Sequence, residues 1–146
     1  MNQVAILYPV FAQVLLTLAV AALMFTARVR AVRTMERKRG NPDLALGKVA
    51  WPEAAAKRAA NYINQFELPV LFYAVTGFAM LAGGADLAMV ALAWAFVLTR
   101  LLHAAIHIGP NKVRWRFPIF GLGFLILAAM WIKLFLHVLT RSGIAV

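Results

Sequence analysis

The chain contains no cysteine. A disulfide framework is therefore excluded, and no thiol of its own can serve as a nucleophile or metal ligand. Any sulfur chemistry would need a thiol from outside. Acids are nearly as scarce, with five Asp and Glu against fifteen Lys and Arg in 146 residues. His103 and His107 have an i, i+4 ligand spacing, but too few carboxylates remain to complete a set, so no metal site is expected. Haem fares worse. Two histidines on one helix face cannot supply opposite axial ligands, and His137 lies far along the chain. Charge of either sign makes up 14% of residues, where a soluble domain has about a quarter.

What fills the space is hydrocarbon. Hydrophobic residues make up 64% of the chain and are clustered in long blocks, which implies a single, polytopic, all-α membrane domain. Four spans are predicted, over 4–27, 66–82, 87–107 and 117–139. Asp86 is placed to cap the third, and Pro118 suits the first turn of the fourth. The first span is not expected to be a signal peptide, because no basic residue precedes it and its apolar run is too long. No internal repeat or low-complexity tract is present. The net charge of +10 does not point to nucleic acid, since the basic residues lie beside spans rather than on a soluble module. Nine Lys and Arg fall in 28–58 and three in 108–116, while the 83–86 turn has none. By the positive-inside rule the loops 28–58 and 108–116 are cytoplasmic and both termini lie on the outer side.

The second span is predicted to begin early. "WPEAAAKRAANYINQFELP" offers Pro52 at a first helical position, Glu53 in the first turn and then strong helix formers. A helix over 52–82 would be about 45 Å long, with Pro69 inside it either kinking it or freeing a carbonyl. On it, Asn61, Asn64 and Glu67 recur every third residue. On the third span Arg100, His103 and His107 fall within roughly 60° of one another. Arg114 and Arg116 open the fourth span at the same level. Ionisable groups at the hydrocarbon boundary are costly and usually face the bundle interior. The three stripes therefore predict a polar cup at the cytoplasmic side. Plainer roles stand beside this one: Lys112, Arg114 and Arg116 as interfacial anchors, Arg100 paired with Glu67 to join two helices, and Asn61 and Asn64 as interhelical glue.

These residues carry a resemblance. Four spans, a basic first loop, N-x-x-E before a proline ("NQFELP"), and R-x-x-H-x-x-x-H closing the third span, followed by arginines, resemble the MAPEG family, the membrane-associated proteins of eicosanoid and glutathione metabolism, and its bacterial-type members in particular. The resemblance covers nearly the whole chain. It implies a homotrimer of four-helix subunits in the bacterial inner membrane, with glutathione as cofactor between neighbouring subunits. The implied activity is that of a transferase or peroxidase acting on lipophilic electrophiles or lipid hydroperoxides reached from the bilayer. The alternative, also within the family, is a non-catalytic protein that binds a lipid or another membrane protein. Asn64 and Glu67 match the residues that hold the glutathione peptide. The family's arginine four residues before that Asn falls on Ala60, so Arg58 or Lys57 would substitute. Arg100 and His103 match the third-span positions, and Asn61 joins them in the same polar layer. His107 stands where the eukaryotic enzymes keep Tyr. The thiol-activating arginine falls on Arg114 or Arg116, and the spacing does not choose between them.

Overall fold

A computed structural model of the chain describes residues 3–38, 50–109 and 111–142. After one 3-10 turn at Gln3–Ile6 come α1 (Leu7–Lys38), α2 (Glu53–Ile63), α3 (Leu68–Leu81), α4 (Leu87–Ile108) and α5 (Val113–Arg141). The described residues contain no strand. Three segments, Gln3–Met35, Leu87–Ile108 and Val113–Arg141, are long and apolar enough to cross a bilayer. Large apolar side chains such as Leu15, Phe25, Leu125 and Phe135 are more than half exposed, a surface suited to lipid rather than water. This is an all-α membrane protein.

The first helix runs past the predicted end of its span. No Gly or Pro follows Ala27 until Gly40, so the α1 backbone continues helical through the basic stretch to Lys38. The rest of the predicted loop, including Arg39 and Lys48, lies partly outside the described residues.

The predicted 52–82 helix is two helices rather than one kinked rod. Pro52 caps α2, with φ −54° and ψ 146°. The chain tightens into a 3-10 turn at Asn64–Phe66, and Glu67 leaves helical geometry altogether, with φ −91° and ψ −101°. Pro69 then sits in the first turn of α3. A proline ring clashes with the carbonyl four residues back and offers no N–H to it, so the turn before Pro69 cannot stay regular. Alone, α3 spans about 21 Å of a ~30 Å hydrocarbon core.

In α4 the predicted start and cap hold, with Asp86 accepting a hydrogen bond from the Met89 amide at 2.9 Å. α5 starts four residues before the predicted span, which puts Pro118 inside the helix instead of at its first turn. The core is a column of small and aromatic side chains. Phe72 stacks on Phe96 at 4.6 Å, and Met89, Ala93, Val97, Leu127 and Met130 are fully buried around them. In lipid, helices associate through close packing rather than hydrophobic drive. At Gly123 a β-carbon would come within 2.7 Å of Thr99 Oγ1, so glycine is what lets α5 approach α4.

The α3–α4 turn is held from three sides. Gln3 donates to the Gly83 carbonyl (3.3 Å) and accepts from the Ala85 amide (3.2 Å). His137 and Arg141 both reach the Ala82 carbonyl, at 3.1 and 3.2 Å. Lys133 pairs with Asp86 at 2.6 Å. Gly83 takes φ +70°, a left-handed conformation that suits glycine.

Asp86 thus does two jobs that substitutions separate. Asp86→Asn keeps a good cap and loses a half-exposed ion pair, an expected cost of at most ~1 kcal/mol. Asp86→Ala loses both, and ~1–2 kcal/mol is expected. The Lys133 ammonium, then the Met89 amide, hold the Asp86 carboxyl below the usual range. A depressed carboxylate stabilises the fold fully above its unfolded pKa and loses that effect as pH falls through its folded value. The wild type and Asp86→Asn should therefore differ in thermal midpoint at pH 7 and converge in acid, as pH falls through the lowered folded value of the Asp86 carboxyl. A difference that persists in acid would assign the effect to packing.

Candidate functional site

At the other end of α4 the polar groups are not satisfied. Arg100 is 1% exposed and has one hydrogen bond, from Nη2 to the Asn64 carbonyl at 3.1 Å. Its Nε and Nη1 have no partner. The guanidinium also lies over the Phe120 ring, 5.6 Å from its centroid. His103 is buried with both ring nitrogens unpartnered, and His107 leaves Nδ1 unpartnered. The two imidazoles stack at 5.8 Å, and His103 meets the edge of Phe120 at 5.6 Å. An unmade bond to a buried polar atom costs about 1–3 kcal/mol, more for a charged one. Such a cluster is a stored demand for acceptors and bridging donors.

A cavity of about 240 Å³ opens beside this cluster, lined by Asn64, Glu67, His103, Val113, Arg116, Phe117 and Phe120. With its amide nitrogen turned toward Glu67, Asn64 donates to both carboxylate oxygens, at 3.1 and 3.2 Å. Asn64 thus ties Glu67 by its side chain and Arg100 by its carbonyl. Glu67 and Arg100 form no direct ion pair among the described residues. Arg116 is held by Asn111, whose Oδ1 accepts from Nη1 at 2.9 Å. Asn111 itself has φ +48°, a conformation asparagine tolerates better than most residues.

The predicted site residues therefore divide. Asn64, Glu67, His103 and Arg116 line one cavity, and Arg100 packs directly behind it. His107 reaches the same cluster through the His103 ring. Asn61 is fully buried with both side-chain atoms unpartnered and does not line the cavity. A three-residue step turns a helix by 300°, so a stripe of every third residue drifts by 60° per step. Gln65 and Gln13, which the stripe argument missed, are buried and bonded to each other at 3.2 Å. Arg58 lies elsewhere, in a groove between α1 and α2. Arg114 points away and stacks on Trp115 at 5.4 Å. Among the described residues no group of three His, Asp or Glu could hold a metal.

Larger grooves exist, of about 520 Å³ along Lys133–Thr140 and about 510 Å³ beside Phe78 and Trp131. Their walls are mainly apolar and bring no comparable set of polar groups together. The 240 Å³ cavity brings a carboxylate, an amide, an imidazole and a guanidinium together.

The sequence model described as the MAPEG family matches residues 6–136. No curated protein and no solved structure matches the chain.

An isosteric test separates stability from recognition at Arg100. Replacing a buried, under-compensated charge with an apolar side chain of similar reach is often neutral or stabilising, by up to a few kcal/mol. Arg100→Met should therefore leave the thermal midpoint in detergent unchanged or raised, while losing binding of any anionic ligand. A strongly lowered midpoint would make Arg100 a structural strut instead.

Proposed function

The chain belongs to the MAPEG family, membrane proteins of glutathione and eicosanoid metabolism, and on that premise we propose that it is a glutathione-dependent transferase or peroxidase acting on lipophilic electrophiles or lipid hydroperoxides. The observation that carries this reading is the buried Arg100 and His103, with unpartnered nitrogens, behind a cavity walled by Asn64, Glu67 and Arg116. Glutathione has two carboxylates, an ammonium and a thiol, and it supplies the sulfur nucleophile that this cysteine-free chain lacks.

The donor set fits that ligand. Guanidinium groups bind carboxylates with charge-assisted hydrogen bonds, and Glu67 complements an ammonium. Asn64 and His103 supply the neutral contacts, and His107 stacks on His103 beside them, while Asn61 stays outside the cavity wall. Arg116, held by Asn111, is the activating cation. A fixed positive charge beside a thiol of ordinary pKa ~8.5 favours the thiolate. Phe117 and Phe120 keep that wall apolar, which strengthens the charge effect and suits an electrophile arriving from the bilayer.

Size supports an assembly. Pockets that enclose a small molecule run to about 300–1,000 Å³, and this one is smaller. A second surface would complete it, in keeping with a homotrimer whose sites lie between subunits. The same reading puts four crossings in the bacterial inner membrane, with α2 and α3 together making the second. The basic loops face the cytoplasm and both termini the periplasm.

The test compares the two arginines. Arg116→Leu should lower turnover with a generic aryl halide by about 10²-fold, the usual loss for one charge-stabilising donor. It should also weaken the ultraviolet absorbance of bound thiolate at neutral pH. Arg114→Leu should leave both nearly intact. A wild-type protein that binds glutathione yet shows neither thiolate nor turnover with several electrophiles would sink the enzyme. The cup would then serve recognition in a lipid- or protein-binding member of the family.

A further inference from the structure

Arg58 stands outside the cup, and its surroundings suit a different ligand. α1 and α2 meet through alanines: Ala27, Ala31 and Ala55 are buried against one another with Trp51 beside them. Side chains this small leave a groove of about 360 Å³, lined by Ala27, Arg30, Ala31, Thr34, Pro52, Ala54, Ala55 and Arg58. Its floor is methyl groups and its rim carries two guanidiniums. Neither guanidinium has a hydrogen-bond or ion-pair partner among the described residues, and the nearby Glu53 is engaged by Lys57 at 2.6 Å. The groove shares no lining residue with the cavity at Arg116.

Its depth is set by α1. The apolar run ends at Ala27, and Arg28, Arg30 and Arg33 follow within two turns. Arg28 lies over the Trp51 ring at 5.2 Å, and Trp belongs to the headgroup level of a bilayer. The groove therefore sits where lipid phosphates sit, with exposed Leu23 one turn before Ala27 on the same face of α1.

We infer that the α1–α2 groove binds the headgroup of an anionic phospholipid, with Arg30 and Arg58 on its phosphate and the acyl chains lying along α1. The inference rests on α1 leaving the hydrocarbon near Ala27, and it does not depend on glutathione being the ligand of the cup. Basic residues at a membrane surface attract anionic lipid in any protein. What the groove adds is a pair of arginines converging on one concave, apolar-floored site, so the effect should be local to them.

The experiment titrates the detergent-purified full chain with phosphatidylglycerol and with phosphatidylcholine, reading bound lipid by native mass spectrometry. Phosphatidylglycerol should bind at least tenfold more tightly. Arg30→Gln with Arg58→Gln should cut that affinity about 30-fold, from two surface charges at their usual weight. Arg30→Lys with Arg58→Lys should restore most of it, which also shows that loss in the Gln pair is not misfolding. Arg33→Gln with Lys112→Gln removes two charges that do not line the groove and should keep the preference. Equal losses in the two Gln pairs would overturn the site and leave only diffuse surface potential. Displacement by millimolar inorganic phosphate or glycerol phosphate as effective as by lipid would overturn the lipid. Glutathione affinity should be the same in wild type and the Arg30/Arg58 pair. A fall there would return Arg58 to the cup and overturn this assignment, whereas a wild type that never binds glutathione would defeat only the transferase reading.

Discussion

The arrangement at the cup follows from one constraint: a guanidinium that cannot lose its proton is buried between α4, α5 and the turn at Asn64. Arg100 is always charged, and a charge near hydrocarbon costs several kcal/mol unless polar groups gather round it. α3 meets part of that demand through its proline. Because Pro69 spoils the turn before it, the Asn64 carbonyl leaves regular helix and accepts from Arg100. Phe120 covers the guanidinium face. The remaining N–H groups have no partner in the described chain. A buried cation that is only partly satisfied makes its neighbourhood selective for anions, and it does so before any ligand arrives.

The two ends of α4 therefore differ in kind. At Asp86 the polar groups are paired: cap, ammonium, imidazole, guanidinium and amide all converge on the turn 82–86. At His107 the polar groups outnumber their partners. The first end fixes the relative positions of α1, α3, α4 and α5, so that rigid elements present the second. A site held open with unpaired donors needs such a frame, since loose helices would collapse on it and satisfy those donors internally.

How much of this was legible in the sequence depended on whether one residue or a packing relation decided it. The bounds of α4 were legible because an Asp cap and an apolar run mark them directly. α1 outruns the predicted span because hydropathy marks where lipid contact stops, and helix formers carry the backbone further. Pro69 allowed a kink or a freed carbonyl, and the helix instead gives way over 64–67, where the Asn64 carbonyl accepts from Arg100. The stripe Asn61, Asn64, Glu67 looked continuous, but its drift turns Asn61 out of the cavity wall and puts Gln65 against Gln13. The choice between Arg114 and Arg116 did leave a signal. Phe120, Gly123, Leu127, Met130 and Leu134 step by three and four along the packed face of α5, and one step of four back from Phe120 is Arg116. Arg114 is 200° away from Arg116 and must face outward.

A chain this poor in acids carries fifteen Lys and Arg without repelling itself apart. Position separates the arginines by the partner each requires. Arg100 is enclosed and takes a backbone carbonyl. Arg116 is half-enclosed and takes an asparagine carbonyl that leaves most of its donors open. Arg28 and Arg114 lie against tryptophan faces, which need no counter-charge. Arg30 and Arg58 reach a groove at headgroup depth, where lipid phosphate is the abundant anion. Only two ion pairs join described side chains, and both use lysine. With internal carboxylates so rare, the charge on this chain is balanced from outside it. The lipid around the chain therefore belongs to its electrostatics as directly as its own residues do.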